Sequence, residues 1–411
     1  MVFSLELVGD LALGCRKNRE KALVALALVL LGSGINSLLD SPAELQINPS
    51  IDDESHFFPA QFSTTYPIVI QSQSDWERYY FPGNGTAQNP YLIEGYNITR
   101  SSECLIIENV TEYVEIRDCL FESTDQFQSA VRLLSIQNAI IEGSTIIGGR
   151  EGVLISQCDT IAVKDSIIGD STVGLRLISS NSCSVERNSV FGHSSGLELS
   201  ATNHSAFSGN KWYRNSLRGI YIDNDSEFNI FTQNSLGWNG YGDEPISAID
   251  NGANNTWTAN GWTDYDLSGP YNITGATNPQ DLEPFRLVDT EAPITNAPED
   301  IIMGEGSEVS VNWTPQDDFP FMFTLQIGAV VQREGLWTER SFSIDLQSFE
   351  PGDYTLILVL IDGSGNRTED YVTASVLFVI LGDIGTELVA LASVLTLVLF
   401  IVLVCIFKFR P

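Results

Sequence analysis

The tightest constraint on this chain is a glycine that recurs about every 22 residues, at Gly152, Gly174, Gly196 and Gly219. Each glycine is followed by an apolar, a variable and an apolar residue, as in Leu197-Glu198-Leu199. Outer members that alternate with a variable middle member are typical of a β-strand, whose successive side chains point to opposite faces. A unit that recurs at such a short, fixed period predicts a solenoid.

Each unit also carries a polar anchor before its glycine, and a short apolar piece follows the anchor. The anchors in chain order are Ser144, Asp165, Asn188 and Asn210. Polar turn, strand, glycine turn and strand make one coil, and successive coils stack as parallel strands about 4.8 Å apart. The repeats contain no amphipathic segment of helix length, so the sequence predicts an all-β parallel β-helix over residues 65–287, with polar side chains bonded to turn backbone between coils.

Both ends of the chain carry targeting signals. Residues 388–407 form a nearly uninterrupted apolar run, long enough to span a bilayer as a helix, and Lys408 and Arg410 follow it. Because basic residues stay on the cytoplasmic side, we expect a single-pass membrane protein with the bulk of the chain outside and a short cytoplasmic C-terminus. Residues 1–40 follow the order of a secretory signal, either cleaved or kept as an anchor, and residues 41–64 are expected to form a linker.

The glycine repeat stops near Asp289, and residues 288–380 follow a different sequence pattern. Short alternating runs predict strands at 309–313, 321–326, 341–346 and 354–361. About 90 residues of such strands predict an immunoglobulin-like β-sandwich. The segment Asp362–Asn366 is open to two interpretations, a plain hairpin turn or a calcium-ligating loop, since it lacks the full calcium-loop pattern.

The chain is strongly acidic, with a formal net charge of −32 and only 21 lysines and arginines. Phosphate backbones would be repelled, so we expect no nucleic-acid partner, and glycans or surface proteins are expected instead. The three histidines share no ligand spacing, so no transition-metal site or other cofactor is expected, with calcium as the one open case.

Sequons for asparagine glycosylation fall throughout the predicted external region. They are Asn84, Asn97, Asn109, Asn203, Asn224, Asn254, Asn272, Asn312 and Asn366. Among the cysteines of the same region, Cys183 is expected to be a buried free thiol. A disulfide between Cys104 and Cys119 is an open alternative to two further free thiols.

The repeat frame predicts which side chains share an exposed row. If the apolar pair of each triplet points inward, the middle residues point outward, namely Arg132, Leu154, Arg176, Glu198 and Tyr221. Glu198, with Arg176 or with Asp223, then has two interpretations. It is the base or one carboxylate of a polysaccharide lyase or glycoside hydrolase, or it belongs to a surface salt bridge.

Aromatic residues crowd the later coils and offer faces on which sugar rings stack. Those expected to bind a ligand in this way are Tyr221, Trp212, Tyr213 and Trp238, and Arg176 and Glu198 of the outward row are expected to bind the same ligand. Loop and core placements are both open for the last three. Trp257, Trp262 and Tyr265 are expected instead to cap the end of the solenoid.

Three stretches carry a resemblance to a known group: residues 85–95 at the entry, the glycine repeats, and the exit with Trp257, Trp262, Asp264 and Tyr265. Over about residues 65–287 the chain resembles right-handed parallel β-helix surface proteins of archaeal type, similar to the carbohydrate-binding and sugar-hydrolase class that includes the NosD-like proteins. The exit resembles that group's Asn-Tyr-Trp-Ser-Asp-Tyr signature, and a trailing immunoglobulin-like module and terminal membrane helix match its usual arrangement. The resemblance implies a fold and a surface setting, and no particular reaction.

Taken together, the sequence predicts a membrane-anchored extracellular protein whose β-helix presents a lateral surface for glycan or protein binding, with no catalysis required. The sandwich is expected to space the β-helix from the membrane. One alternative is a polysaccharide lyase or glycoside hydrolase that uses Glu198, Asp223 or Arg176. Another is a structural cell-envelope protein whose lateral face is masked by glycans at Asn203 and Asn224.

Overall fold

The computed structural model describes residues 62–64, 66–240 and 246–378. The predicted signal segment 1–40, most of the predicted linker 41–64 and the apolar run 388–407 lie outside the described residues. Within the described part of the chain, no helix is long and apolar enough to cross a bilayer. The last three residues of the predicted linker belong to the first strand of the solenoid.

Residues 62–286 wind into a parallel β-helix, which confirms the predicted fold. Its strands are β1 (Phe62–Thr64), β2 (Ile68–Ile70), β3 (Tyr91–Glu94), β4 (Tyr96–Arg100), β5 (Leu105–Glu108), β6 (Val114–Arg117), β7 (Leu120–Ser123), β8 (Val131–Leu134), β9 (Ala139–Glu142), β10 (Thr145–Gly148), β11 (Glu151–Ser156), β12 (Ala162–Lys164), β13 (Ile167–Gly169), β14 (Val173–Ile178), β15 (Ser184–Glu186), β16 (Ser189–Phe191), β17 (Ser195–Ser200), β18 (Ala206–Ser208), β19 (Lys211–Tyr213), β20 (Arg218–Ile222), β21 (Ile230–Thr232), β22 (Ser235–Gly237), β23 (Ala248–Asp250), β24 (Thr256–Thr258), β25 (Gly261–Trp262), β26 (Tyr271–Asn272), β27 (Gln280–Asp281) and β28 (Phe285–Arg286).

Each coil gives one strand to each of three sheets, and equivalent strands of successive coils pair in parallel. Sheet 1 has the order β1-β4-β7-β10-β13-β16-β19-β22-β25-β28. Sheet 2 has the order β2-β5-β8-β11-β14-β17-β20-β23. Sheet 3 has the order β26-β27-β24-β21-β18-β15-β12-β9-β6-β3, with β26 antiparallel to β27.

The register of sheet 2 follows the glycine frame. Val153 pairs with Leu175, and Leu175 pairs with Leu197. All three side chains are fully buried, as the alternating triplets predict. Stacked columns of this kind form the continuous apolar core of the β-helix, which removes the inner face of every coil from water.

The glycines of the frame are required by close approach between coils. A Cβ atom on Gly196 would lie 2.6 Å from the carbonyl oxygen of Gly219 and 2.9 Å from Nδ2 of Asn215. Neither neighbour can move away easily. One is a backbone carbonyl, and the other is the side-chain amide of a fully buried asparagine that donates hydrogen bonds to Val190 and Asn239. A side chain at this position therefore forces the next coil to shift.

Gly196→Ala is expected to destabilise the protein by about 2 kcal/mol, because the added methyl group overpacks a closely stacked corner. Urea unfolding of the two proteins measures the difference. Gly335→Ala is the matched control, since its Cβ would meet only Phe323 Cε1, at 3.8 Å. Equal losses in both variants would contradict the explanation from close approach.

A column of buried polar side chains runs inside one corner of the solenoid. The backbone N–H of Asn188 donates to Asn210 Oδ1 at 2.9 Å, and that of Asn210 donates to Asn234 Oδ1 at 3.1 Å. The side-chain amides of Asn210 and Asn234 also donate to the next asparagine, at 3.0 and 2.9 Å. We call Asn188, Asn210, Asn234 and Asn260 the asparagine ladder. Its side chains accept hydrogen bonds from backbone N–H groups at the corner, which have no partner in any of the three sheets.

The predicted anchors Ser144, Asn188 and Asn210 lie in this corner, but Asp165 does not. Its neighbour Ser166 takes the buried position, where its hydroxyl accepts the N–H of Ser144 at 3.2 Å. Asp165 has a φ of 50°, is exposed, and pairs with Arg187 at 2.6 Å. The anchor prediction was therefore wrong by one residue in that coil, because the left-handed turn residue projects outward.

The ladder ends on a buried aspartate. Oδ2 of Asp281 accepts the backbone N–H and side-chain amide of Asn260, both at 2.9 Å, and Trp262 Nε1 at 3.1 Å. Each asparagine side chain of the ladder donates a hydrogen bond to the next residue and so requires an acceptor there. A carboxylate only accepts hydrogen bonds, so Asp281 can be the last member of the ladder. In the same way, Oδ2 of Asp250 accepts a hydrogen bond from Trp257 Nε1 at 2.8 Å. Burial raises the pKa of the Asp250 carboxyl.

Trp257 and Trp262 are thus buried in the last coils, while Tyr265 is half-buried against them. This arrangement agrees with their predicted capping role. At the opposite end, helix α1 (Gln73–Tyr79) closes the solenoid, and Trp76 stacks on Tyr91 with ring centroids 4.4 Å apart. The sequence repeats did not predict this helix.

Residues 301–377 form two further sheets around a core of their own. Their strands are β29 (Ile301–Gly304), β30 (Ser310–Trp313), β31 (Pro320–Ile327), β32 (Val330–Leu336), β33 (Phe342–Asp345), β34 (Gly352–Asp362) and β35 (Arg367–Leu377). One sheet has the order β29-β35-β34-β31-β32, and β30 pairs with β33 in the other. The four predicted strands are present, β29, β32 and β35 were not predicted, and we call this unit the sandwich.

The sandwich packs against the side of the β-helix, on sheet 1. Tyr213 donates its hydroxyl to the Pro320 carbonyl at 2.6 Å, and Arg214 Nε donates to the Gly363 carbonyl at 2.6 Å. Phe319 sits edge-on to the ring of Tyr213 at 5.4 Å. Sheet 1 is therefore partly covered by the sandwich, and the expectation that the sandwich spaces the β-helix from a membrane stays a prediction.

The cysteines of the described chain are buried free thiols. Cys183 is free, as predicted, and so are Cys104, Cys119 and Cys158. The disulfide alternative for Cys104 and Cys119 was wrong, because their sulfur atoms point to different backbone carbonyls, those of Ile98 and Arg117 among them. Burial raises the pKa of both thiols to about 12, which keeps them protonated and unreactive.

Candidate functional site

The predicted outward row is present on sheet 2. Strand pairing sets Arg132 beside Leu154, Leu154 beside Arg176, Arg176 beside Glu198, and Glu198 beside Tyr221. All five side chains are partly exposed, whereas their flanking apolar neighbours are buried. The row runs along the solenoid axis with one residue for each coil.

Ion pairs join the later part of this row into a continuous series. Arg176 Nη1 lies 3.3 Å from Glu151 Oε1, and Arg176 Nε lies 3.8 Å from Glu198 Oε2. Arg218 Nη2 lies 2.9 Å from Glu198 Oε1. We call Glu151, Arg176, Glu198, Arg218 and Tyr221 the charged row.

Each end of the charged row is held in place. Glu151 accepts the hydroxyl proton of Ser129 at 2.9 Å and pairs with Arg150 at 3.1 Å, and its side chain is only 5% exposed. At the other end, the Arg218 guanidinium lies 4.2 Å from the ring centroid of Tyr221, a cation–π contact. The side chains are therefore pre-organised and lose little freedom when a ligand binds.

Glu151 and Arg218 were not among the predicted site residues. Both immediately precede a glycine of the repeat frame, so they occupy the first position of their strands instead of the variable position of the triplet. The residue before each glycine was the signal that could have identified them. Arg132 forms a separate cluster with Glu103 and Glu108, and Leu154 divides that cluster from the charged row.

Asp223 lies in the turn that directly follows β20. Its Oδ1 accepts the N–H of Ala201 at 3.2 Å, the N–H of Asp225 at 3.2 Å and the hydroxyl of Ser226 at 2.7 Å. These bonds hold the turn that follows β20. The pairing of Asp223 with Glu198 for catalysis stays a prediction.

Of the four aromatic residues predicted to bind a ligand, two are fully buried and a third, Trp238, is half-buried. Trp212 is fully buried in the core of the β-helix, and Tyr213 is buried under the sandwich. Trp238 packs edge-on against Phe319 of the sandwich, with centroids 5.2 Å apart. Tyr221 lies on sheet 2 with a partly exposed side chain, as expected, whereas β19 directs Trp212 into the core and Tyr213 toward the sandwich.

Most of the predicted glycosylation sites are accessible, although attachment itself stays a prediction. Exposed asparagines are Asn84, Asn109, Asn224, Asn254, Asn272 and Asn312, and half-buried ones are Asn97, Asn203 and Asn366. The amide nitrogen of Asn366 donates to Asp362, Ser364 and the Glu291 carbonyl at 2.7 to 2.9 Å. A glycan on Asn366 would break these bonds, so that position suits attachment least.

Comparison with known proteins gives the handedness of the solenoid. The family model described as the right-handed β-helix region matches residues 99–261. The solenoid is a right-handed β-helix. No curated protein matches the sequence.

Solved structures similar to this chain include an alginate lyase from Paenibacillus sp. str. FPU-7, with 12% identity and a TM-score of 0.35 over 48% of this chain and 76% of that one. The enzymatically active domain of tailspike protein 2 from bacteriophage CBA120 has 11% identity and a TM-score of 0.34, over 69% of this chain and 58% of that one. Fibronectin(III)-like modules of Clostridium thermocellum CbhA have 11% identity and a TM-score of 0.17, over 21% and 96%. Likeness at this level concerns the fold alone.

Proposed function

We propose that this protein binds uncharged, hydroxyl-rich glycan chains along sheet 2 without cleaving them, and that residues 388–407 hold it at a membrane with the β-helix outside. The observation that carries the proposal is the charged row, in which ion-paired side chains follow the solenoid axis from coil to coil. A linear ligand that lies along the axis meets hydrogen-bond donors and acceptors in alternation from one coil to the next.

Guanidinium groups only donate hydrogen bonds and carboxylates only accept them, so the alternation in the row suits sugar hydroxyls, which do both. Tyr221 adds an aromatic ring at one end. The two arginines and two glutamates of the row balance in charge, whereas the chain as a whole carries −32. That excess repels polyanions, and it supports an uncharged ligand.

Binding without cleavage is supported by the way that the carboxylates are used. A glycoside hydrolase needs one carboxyl group as a proton donor and a second as base or nucleophile. In the charged row, Arg176 lies between Glu151 and Glu198 and pairs with both. Glu198 also pairs with Arg218, so each of its two carboxylate oxygens is ion-paired with a guanidinium group.

The double variant Arg176→Met with Arg218→Met is expected to weaken retention of a neutral polysaccharide about tenfold, because the donors are lost while the aliphatic stems remain. Affinity electrophoresis of the full-length protein through gels that contain neutral or acidic polysaccharides measures this. Arg187→Met is the matched control, since it breaks an exposed ion pair to Asp165 on the sheet 3 side.

Equal retention of the double variant and the wild-type protein would contradict binding by the charged row. Release of new polysaccharide chain ends that disappears in Glu198→Gln would establish the lyase or hydrolase alternative instead. If the wild-type protein showed no retention and no cleavage of any polysaccharide, the proposal would be contradicted. A structural role in the envelope would then be favoured.

A further inference from the structure

An exposed stack of two rings lies at the corner between sheets 2 and 3. The rings of His204 and Phe228 belong to successive coils, with centroids 5.2 Å apart and planes inclined by only 16°. Both side chains are exposed, and so is Ile230, two residues further along the chain, at 48%. A contiguous exposed patch of this kind marks a contact site more often than a single exposed apolar residue does.

The backbone of Phe228 gives a second observation. Its φ is 58°, in the left-handed region, where a bulky side chain is strained. The turn positions of the adjacent coils hold His204 and Asn254, with φ values of 54° and 59°, and these residue types adopt that conformation more readily. A phenylalanine that is both strained and exposed adds little to the stability of the coil, which indicates that its ring makes a further contact.

The next coil carries Asn254 at the place where such a contact would form. Ile230 pairs with Thr256, so Phe228 and Asn254, each two residues earlier, occupy equivalent positions in successive coils. His204 covers one face of the Phe228 ring from the preceding coil. The other face is therefore directed toward the coil of Asn254.

The residue at that position is the acceptor of a glycosylation sequon. Asn254 and Thr256 of the sequon Asn254-Asn255-Thr256 are both exposed. A glycan on the Asn254 amide would begin about one coil spacing, ~4.8 Å, from the Phe228 ring. The C–H face of a sugar packs on an aromatic face, so the first sugar would take the next place in the ring stack.

We propose that Phe228, supported by His204, is a platform for the protein's own asparagine-linked glycan, which is carried by Asn254. The first sugar covers the exposed ring and connects the corner of one coil to that of the next. The inference rests on the part of the proposed function that places the β-helix outside the membrane, where such glycans are attached.

Asn109 offers a matched position with a different neighbour. It is an exposed sequon asparagine with a φ of 55° at another corner turn. Because Glu108 pairs with Leu134, the equivalent residue of the following coil is Ser135. A glycan on Asn109 therefore meets a small polar side chain there, where a ring would be needed for stacking.

Full-length protein from a eukaryotic host, which attaches such glycans, and from a bacterial host, which does not, tests the proposal. Peptide mapping by mass spectrometry should find a glycan on Asn254 in the first preparation. Asn254→Gln should lower the midpoint of thermal unfolding by about 2 °C more in the glycosylated protein than in the unglycosylated one. Asn109→Gln should change the midpoint equally in both preparations.

Phe228→Ser separates stacking from other effects of the glycan. Serine suits the turn, since Ser182 occupies the position two coils earlier, with a φ of 52°. In the Phe228→Ser background, the additional loss caused by Asn254→Gln in the glycosylated protein should disappear.

Persistence of that additional loss in Phe228→Ser would overturn the proposal, and so would an Asn254 without a glycan while other sequons carry one. Glycans on none of the sequons would overturn it as well, and would also contradict the external placement of the β-helix. No polysaccharide is added in these measurements, so their outcome is independent of glycan binding by the charged row.

Discussion

Asn234→Ala is expected to destabilise the protein by about 4 kcal/mol, one of the two largest effects that the structure predicts. Its Oδ1 accepts both the backbone N–H and the side-chain amide of Asn210, at 3.1 and 3.0 Å. Its own amide donates to the Phe207 carbonyl and to Asn260, each at 2.9 Å. Alanine leaves all of these groups short of a partner in a place that water does not reach. Urea unfolding monitored by far-ultraviolet circular dichroism measures the loss.

Two companion variants separate the ladder from asparagine in general. Asn224→Ala removes an exposed asparagine from a turn of the same solenoid and should change stability by less than about 0.5 kcal/mol. Asn234→Asp keeps the acceptor but removes the amide donor, so an intermediate loss is expected. If Asn234→Ala proved as mild as Asn224→Ala, the ladder would contribute little and the apolar columns alone would hold the coils together.

The solenoid could be predicted from the sequence because its information is local and repeated. The triplet Leu175-Arg176-Leu177 shows the strand, the inward pair and the outward residue within three positions. Since every coil repeats that pattern after about 22 residues, stacking also determines the neighbours in the next coil. Arg176 beside Glu198 was predicted in this way and is confirmed by strand pairing.

The aromatic residues could not be placed from the sequence, because their partners are far away along the chain. Tyr213 bonds to Pro320, which is 107 residues distant, and Trp238 packs on Phe319. An exposed position on an isolated β-helix becomes an interior position once the sandwich covers sheet 1. Periodicity describes a coil and its neighbours, and it contains no information about a second domain that packs against the side.

The candidate sites show the same limit. The triplet positions of the charged row followed from the frame, but Glu151 depends on the fold of a strand end that local alternation does not describe. Asp289, Asp317 and Asp362 come from three separate segments, and only the folded chain brings one carboxylate oxygen of each within 4.8 Å of the others. Of that cluster, the sequence singled out Asp362 alone, as part of a turn.

His193→Asn is expected to remove a specific loss of stability at mildly acidic pH. The imidazole is fully buried; Nδ1 accepts the N–H of Ser171 at 3.0 Å, and Nε2 faces the Ile168 carbonyl at 3.0 Å. Burial lowers the pKa of His193 from 6.5 to about 4, because a charged imidazole loses its hydration in the core, and the hydrogen bonds at Ile168 and Ser171 offset this only in part. Asparagine suits the site, since Asn215 occupies the equivalent position in the next coil.

The sign follows from proton binding. Between pH 6.5 and pH 4 the unfolded chain binds a proton at His193 and the folded chain does not, so this group's contribution is fully present above about pH 6.5 and is lost as pH falls toward 4. At about 1.4 kcal/mol for each pKa unit, the difference between 6.5 and about 4 corresponds to a loss of about 3.5 kcal/mol once the folded state is protonated as well. The raised pKa of Asp317 changes stability in the opposite direction over part of this range, so the pH dependence of the unfolding free energy of His193→Asn must be subtracted from that of the wild type.

The difference in unfolding free energy should change between pH 6.5 and 4 and be constant above that window. His204→Asn, which removes an exposed ring, should give a flat difference curve. A flat curve for His193→Asn as well would show that the imidazole takes its proton in the folded state despite its burial.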